Sequence, residues 1–104
     1  MRTVARELGA TYALNEVVLD TLVLQKGKLQ RRILSVPEHE HPVGGQLMGS
    51  RPETFGLAAR EMVRAGYDIV DINFGCPVNK VLGRHRGGWL LQDVETALAM
   101  VEAV

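Results

Sequence analysis

Cys76 is the only cysteine in the chain and sits in Gly75-Cys76-Pro77, directly after Asp71-Ile72-Asn73-Phe74. A basic, glycine-rich segment follows, with Lys80, Gly83, Arg84, His85, Arg86, Gly87 and Gly88. A thiol with the ordinary pKa of about 8.5 is largely protonated at pH 7, which suits a proton donor. A nucleophilic cysteine needs a neighbour that favours the thiolate, and Lys80 and His85 stand close enough in sequence to keep that reading open. The plain alternative is a small buried hydrophobe. Lys80, Arg84, His85 and Arg86 have two readings as well: a solvated loop, or a cluster that meets phosphate. Gln46 ends a second apolar run. Its carboxamide both donates and accepts, so it can read a polar ring edge or merely tie down a loop. Asn73 can orient a ligand or hold its own turn. His39 and His41 lack a third ligand, so no metal site is expected.

These residues need strands to carry them. Asp68 to Asn73 is rich in β-branched residues and stops at Phe74-Gly75. Alternation puts Ile69, Asp71 and Asn73 on one face and Val70 and Ile72 on the other. Two polar residues on one strand face suit a face that looks into a site. Pro42 to Met48 is a second strand, with Gln46 sharing a face with Gly44 and Met48. Thr11 to Asn15 is a third, with Glu16 at its end.

Helices separate them. Thr3 to Leu8 reads as helix closed by Gly9. Val17 to Gln25 reads as loop then short helix, and Gln30 to Leu34 as a short extended piece. Pro37 to His41 reads as a polar loop. Ser50, Pro52 and Glu53 form a capping box for a helix running to Ala65, with Phe55, Ala58, Ala59, Met62 and Val63 as its apolar stripe. Gly66 ends it. A last helix starts near Asp93. The order α-β-(α)-β-α-β-α argues for a parallel sheet, in which sites lie at the strand carboxyl ends. Glu16, Gln46 and the Asn73–Cys76 group all fall there.

Composition sets bounds. Twelve basic and twelve acidic residues give net charge +0, so no global field favours nucleic acid. A single cysteine excludes an internal disulfide and fits a reducing, cytoplasmic setting. No apolar run reaches the roughly 18 residues of a membrane span, and the first ten residues lack a signal-peptide core. The 104 residues are too few for a complete TIM barrel of about 250.

Asp71-Ile72-Asn73-Phe74-Gly75-Cys76-Pro77, then Lys80-Val81, Gly87-Gly88 and Leu90-Leu91, resembles the tRNA-dihydrouridine synthases. The resemblance implies an α/β partial TIM barrel, incomplete at both ends, with residues 1–104 as a single segment covering about strands two to four. It implies FMN-dependent, NADPH-driven reduction of uridine to 5,6-dihydrouridine in tRNA. Cys76 is then the general acid that protonates C5 of the uracil ring after hydride reaches C6. Gln46 contacts the flavin's pyrimidine edge. Asn73, Lys80, Arg84 and Arg86 face substrate or tRNA, and Glu16 supports the site. Three departures stand out: Asn15 where the family often has threonine, Asn79 where many members have a second basic residue, and Trp89 where a small residue is usual. Trp89 can stack on a base or fill a gap. Further flavin contacts are expected outside this segment, so the chain alone should bind FMN weakly and be inactive. With two raw sheet edges and an inner face at Gly44, Met48 and Ile69 that nothing in the chain covers, it should self-associate or pack loosely. One alternative is another flavin barrel, such as a dihydropyrimidine or dihydroorotate dehydrogenase, although those usually carry serine where Gly75 stands. Another is a non-catalytic remnant that binds itself or a partner.

Overall fold

A computed structural model describes all residues, 1–104. Strand β3, Val43–Met48, is central because it is apolar and glycine-containing throughout; every residue but Gln46 is buried. Strands β1 (Ala13–Leu14) and β2 (Val18–Leu19) pair with one edge of β3, and β4 (Ile69–Ile72) pairs with the other, all in parallel. Helices alternate with them: α1 (Arg2–Glu7), α2 (Asp20–Leu24), α3 (Lys28–Ile33), α4 (Pro52–Arg64), α5 (Asn79–Leu82) and α6 (Val94–Ala103). The result is an α/β open parallel sheet, as in part of a TIM barrel. No helix is long and apolar enough to cross a membrane.

The strand expected over Thr11 to Asn15 is only Ala13–Leu14, and Val18–Leu19, read as loop, forms a second short strand beyond a bulge. Leu14 pairs with Gly44 and Val18 with Leu47, so the edge strand carries one residue more than β3 over this span. Asn15 fills the gap. Its N–H donates to Gly44 O at 2.9 Å, and its Oδ1 accepts the Gln46 N–H at 2.6 Å. A side chain thus replaces a missing ladder bond in the middle of the sheet.

Four local expectations are corrected. Gln30 to Ile33 is helical rather than extended, within α3, with Leu34 as its C-cap. Its straight-chain Lys, Gln and Arg residues favour helix, and Gln30 Nε2 donates to Val23 O at 2.6 Å, joining α3 to α2. Ser50 and Glu53 form no capping box: Pro52 is the first helical residue, so Arg51 is the cap, in the extended conformation that precedes proline, and no side chain caps it. Val63 points outward and is 60% exposed; α4 buries Phe55, Ala58, Ala59 and Met62 instead. The sheet's other face is also covered more than expected. Tyr12 and Leu14 occupy the space where a Cβ on Gly44 would lie, and Met48 is 8% exposed, although Ile69 remains open.

Against the helical layer, Val43, Leu47, Phe55, Ala58, Met62, Tyr67, Leu90 and Met100 form the core. Gly56 allows α4 to approach α6, since a Cβ there would lie 2.6 Å from Ala103 O. The last helix starts near Asp93 as the sequence indicates, and Asp93 caps it, accepting from Thr96 N at 3.2 Å and Thr96 Oγ1 at 2.8 Å.

Asp68 ties the start of β4 to the start of β3. Its Oδ2 accepts from Val43 N at 2.7 Å and contacts His41 Nδ1 at 2.8 Å. The Val43 N–H and then the His41 ring hold its carboxyl below the ordinary value of 3.8. The unfolded chain therefore takes up this proton first. The stabilisation is present above pH 3.8 and is lost as pH falls through the lowered folded value. Urea midpoints followed through this acid range should fall more shallowly for Asp68→Asn than for the parent chain. Equal slopes would remove this role from Asp68.

Candidate active site at the strand ends

Gln46 and Asp71 are register partners on adjacent strands, so their side chains emerge side by side on one face. Gln46 Nε2 donates to Asp71 Oδ2 at 2.6 Å, and Asn73 Nδ2 donates to Gln46 Oε1 at 3.1 Å. Asn73 Oδ1 in turn accepts the N–H groups of Gly75 at 3.2 Å and Cys76 at 3.0 Å. One hydrogen-bonded chain thus runs from Asp71 through Gln46 and Asn73 to the backbone of the cysteine. The Asn73 turn is the local reason the chain leaves β4 sharply, since asparagine side chains readily bond backbone N–H groups two and three residues on.

The returning segment closes over the cysteine. Gly88 N donates to Cys76 O at 3.1 Å. Gly87 has φ +58°, and a Cβ there would lie 2.9 Å from both Cys76 Cβ and Cys76 O. Only glycine meets both demands, the left-handed backbone and the close approach. Cys76 itself is a half-buried free thiol. Trp89 packs against the core and stacks on His85, with ring centroids 4.1 Å apart and planes 20° from parallel. The indole therefore both fills space and supports an aromatic surface. His85 is the one non-glycine residue with positive φ, at 55°.

Lys80, Arg84 and Arg86 meet around a cavity of about 130 Å³, together with Leu19, Met48 and Val81. Leu19 and Met48 are the paired last residues of β2 and β3, so this cavity also lies at the strand carboxyl ends. Glu16 is placed elsewhere. Its side chain is 90% exposed, lies 3.7 Å from Arg2, and lines a separate cavity with Asn15 and Tyr67.

Asn15 and Asp71 were not among the expected site residues, yet they fix the backbone and the carboxamide of Gln46. Asp71 had a visible signal, two polar residues on one strand face. Asn15 had none, because its role depends on a bulge. Tyr12, lying across Gly44, was also missed. Burial first, then the Asp71 and Asp68 carboxylates, push its hydroxyl pKa up. No group of three or more His, Cys, Asp or Glu side chains is arranged to hold a metal ion.

An open parallel α/β sheet carries a thiol, a carboxamide network and a basic cavity at its strand ends, an architecture consistent with part of a barrel. The family model for dihydrouridine synthases matches residues 1–104. The chain belongs to the dihydrouridine synthase family. It is 32% identical over 103 residues to tRNA-dihydrouridine synthase B of Pseudomonas aeruginosa and 34% over 106 residues to that of Pseudomonas putida. It is 29% identical over 104 residues to a probable tRNA-dihydrouridine synthase of Rickettsia prowazekii. These alignments cover 99%, 99% and 98% of this chain but 31%, 31% and 32% of the relatives' own lengths. The chain thus spans about a third of the curated relatives it matches.

The two glycines beside the cysteine separate turn geometry from mere motif. Gly87→Ala should destabilise by about 2 kcal/mol or more, from the left-handed backbone and the contact with Cys76. Gly75→Ala should change stability by less than about 0.5 kcal/mol, because nothing lies within 4 Å of an added Cβ. Chemical denaturation of both variants checks this, and similar losses at both positions would contradict the geometry.

Proposed function

We propose that this chain is the part of an FMN-dependent tRNA-dihydrouridine synthase that carries the proton donor, with Cys76 as the general acid. The observation that carries the reading is Asn73, whose side chain bonds both Gln46 and the Cys76 backbone. A cofactor-facing amide and a substrate-facing thiol then hold a fixed relation to one another. The residues fit a flavin edge. Gln46 uses one N–H and one oxygen lone pair internally, which leaves one donor and one acceptor for a ligand. The orientation of the amide is set by Asp71, a carboxylate neighbour that accepts from its nitrogen end. Gln46 would hold the flavin's pyrimidine edge, and further contacts belong to other parts of a complete barrel. The chemistry that reduced FMN supplies when bound is hydride for C6 of the uracil ring, with NADPH as reductant.

Cys76 Sγ delivers the proton to C5. The bracket from Asn73 Oδ1 fixes the cysteine backbone, and Gly87-Gly88 close over it. Lys80, Arg84 and Arg86 face the phosphates of the tRNA around that uridine. The reaction belongs to the cytoplasm, where tRNA and NADPH meet. With the segment exchanged into a full-length family member, Cys76→Ala should lower uridine reduction by about 100-fold or more. Flavin reduction by NADPH should persist, because no proton to uracil is needed for it. Equal loss of both half-reactions would remove the general-acid role.

The 104-residue chain by itself associates with a second copy in this reading. Strand β4 pairs only with β3, and Ile69 on it is 49% exposed. Val94, Leu98 and Val101 form a second apolar stripe on α6 that is more than half exposed, beside the buried Met100. An open strand edge and an apolar helix flank both favour pairing. Sedimentation equilibrium should show a dimer or larger species. A monodisperse monomer with a sharp melt would count against it.

A further inference from the structure

We infer that the cavity formed by Lys80, Arg84 and Arg86 is a site for a single phosphate group, with Arg86 as its anchoring residue. The inference deepens the tRNA reading and rests on it only for the natural source of the phosphate. Three observations carry it. First, three cationic side chains meet with an apolar floor of Leu19, Met48 and Val81, and no carboxylate lines the cavity. Two other basic cavities contain their own counter-charge, and in a third, lined by Arg60 and Arg64, Arg64 is paired with Glu61. The one holding Arg2 and Arg32 also holds Glu16, and the one holding Lys26, Arg60 and Arg64 also holds Glu61.

Second, none of the three cations is neutralised elsewhere. The ion pairs of the chain are Arg2–Glu16, Arg2–Glu40, His41–Asp68 and Arg64–Glu61. Third, Arg86 Nε is buried without a hydrogen-bond partner. Arg6 Nε shares that state, but the Arg6 guanidinium is otherwise engaged by the carbonyls of Ala10, Thr11, Glu40 and Pro42. A buried guanidinium N–H lacking an acceptor is costly, and a ligand acceptor removes the cost. An oxyanion meets the planar donor fork best, and phosphate supplies several oxygens for three cations.

Size and position narrow the ligand. A cavity of about 130 Å³ suits one tetrahedral group rather than a whole nucleotide. It opens at the ends of β2 and β3, on the segment that follows the cysteine turn. The stacked His85–Trp89 pair lies on the same segment, between and just beyond the two arginines. Trp89 is the only tryptophan, so it reports directly on this segment.

The test titrates the 104-residue chain with inorganic phosphate, uridine 5′-monophosphate, the diester uridylyl-uridine and uridine, following Trp89 fluorescence and heat. Inorganic phosphate, the monoester and the diester should all bind, with affinity falling as salt rises, and uridine should not. Tighter binding of the diester than of inorganic phosphate assigns the site to the RNA backbone; the reverse order assigns it to free phosphate. Arg86→Ala should weaken binding at least about tenfold. Arg86→Lys, which keeps the charge but loses the fork, should weaken it at least about fivefold. Arg31→Ala, at an exposed arginine on α3, should bind as the parent does. Near-ultraviolet circular dichroism at Trp89 confirms that the Arg86 variants are folded, and Arg86→Lys decides the matter should Arg86→Ala be unfolded. Parent-like affinity in a folded Arg86 variant, or equal binding of uridine and its monophosphate, overturns the site. The titration does not depend on uridine reduction, so loss of the catalytic reading and loss of the phosphate site appear in separate measurements.

Discussion

The carboxamide of Asn73 is the point on which the rest of the site depends. Its nitrogen donates to Gln46 on β3, and its oxygen takes two backbone N–H groups of the cysteine turn. An asparagine is suited to this because one planar group offers both donors and an acceptor. An aspartate could accept the turn N–H groups but could not donate to Gln46 Oε1. The amide therefore makes the end of β4, the end of β3 and the cysteine loop one mechanical unit. Asp71 completes it by accepting from Gln46 Nε2 and so deciding which end of that carboxamide faces which way.

This arrangement needs a sheet that is locally irregular. A regular strand beside β3 would give Gln46 a backbone partner for its N–H. The extra residue between β1 and β2 removes that partner, and Asn15 Oδ1 takes its place. The same asparagine donates through Nδ2 to Tyr67 Oη at 3.2 Å, and Tyr67 Oη donates to Ile33 O at 3.0 Å. Gln46 is thus steadied from both sides of its strand. Asp20 does comparable work one layer down: it is buried, and Oδ2 accepts from Thr54 Oγ1 at 2.7 Å, joining α2 to α4 beside Gly49. Polar groups in this fold are buried where a hydrogen bond locks two elements together.

The loop after the cysteine follows a different rule. It is held by close backbone approach, with Gly87 and Gly88 lying against Cys76. That closeness is what turns a run of charged residues into a cavity. With the return segment fixed over the cysteine, α5 and the arginines after it are brought over the ends of β2 and β3. Lys80, Arg84 and Arg86 then line one cavity, where an anion meets all three charges.

The sequence by itself determined the alternation of helix and strand, strands over Pro42–Met48 and Asp68–Asn73, a last helix starting near Asp93, and the family. These are carried by local period, turn chemistry and an ordered motif, all of which survive without knowledge of distant contacts. It also singled out Cys76, Gln46 and Asn73, since polar residues at the ends of apolar strands are conspicuous. Local reading failed at Gln30–Leu34 and at Ser50, where a contact with Val23 and the geometry before Pro52 decided the outcome. Only the tertiary structure decided that Asn15 mends a bulge, that Tyr12 covers Gly44, that Glu16 lies away from the cysteine, and that three cations share one cavity. Each of those depends on which residues of different strands and loops come level with one another. Register and loop closure are set by the packing of the whole sheet, and no spacing along the chain encodes them.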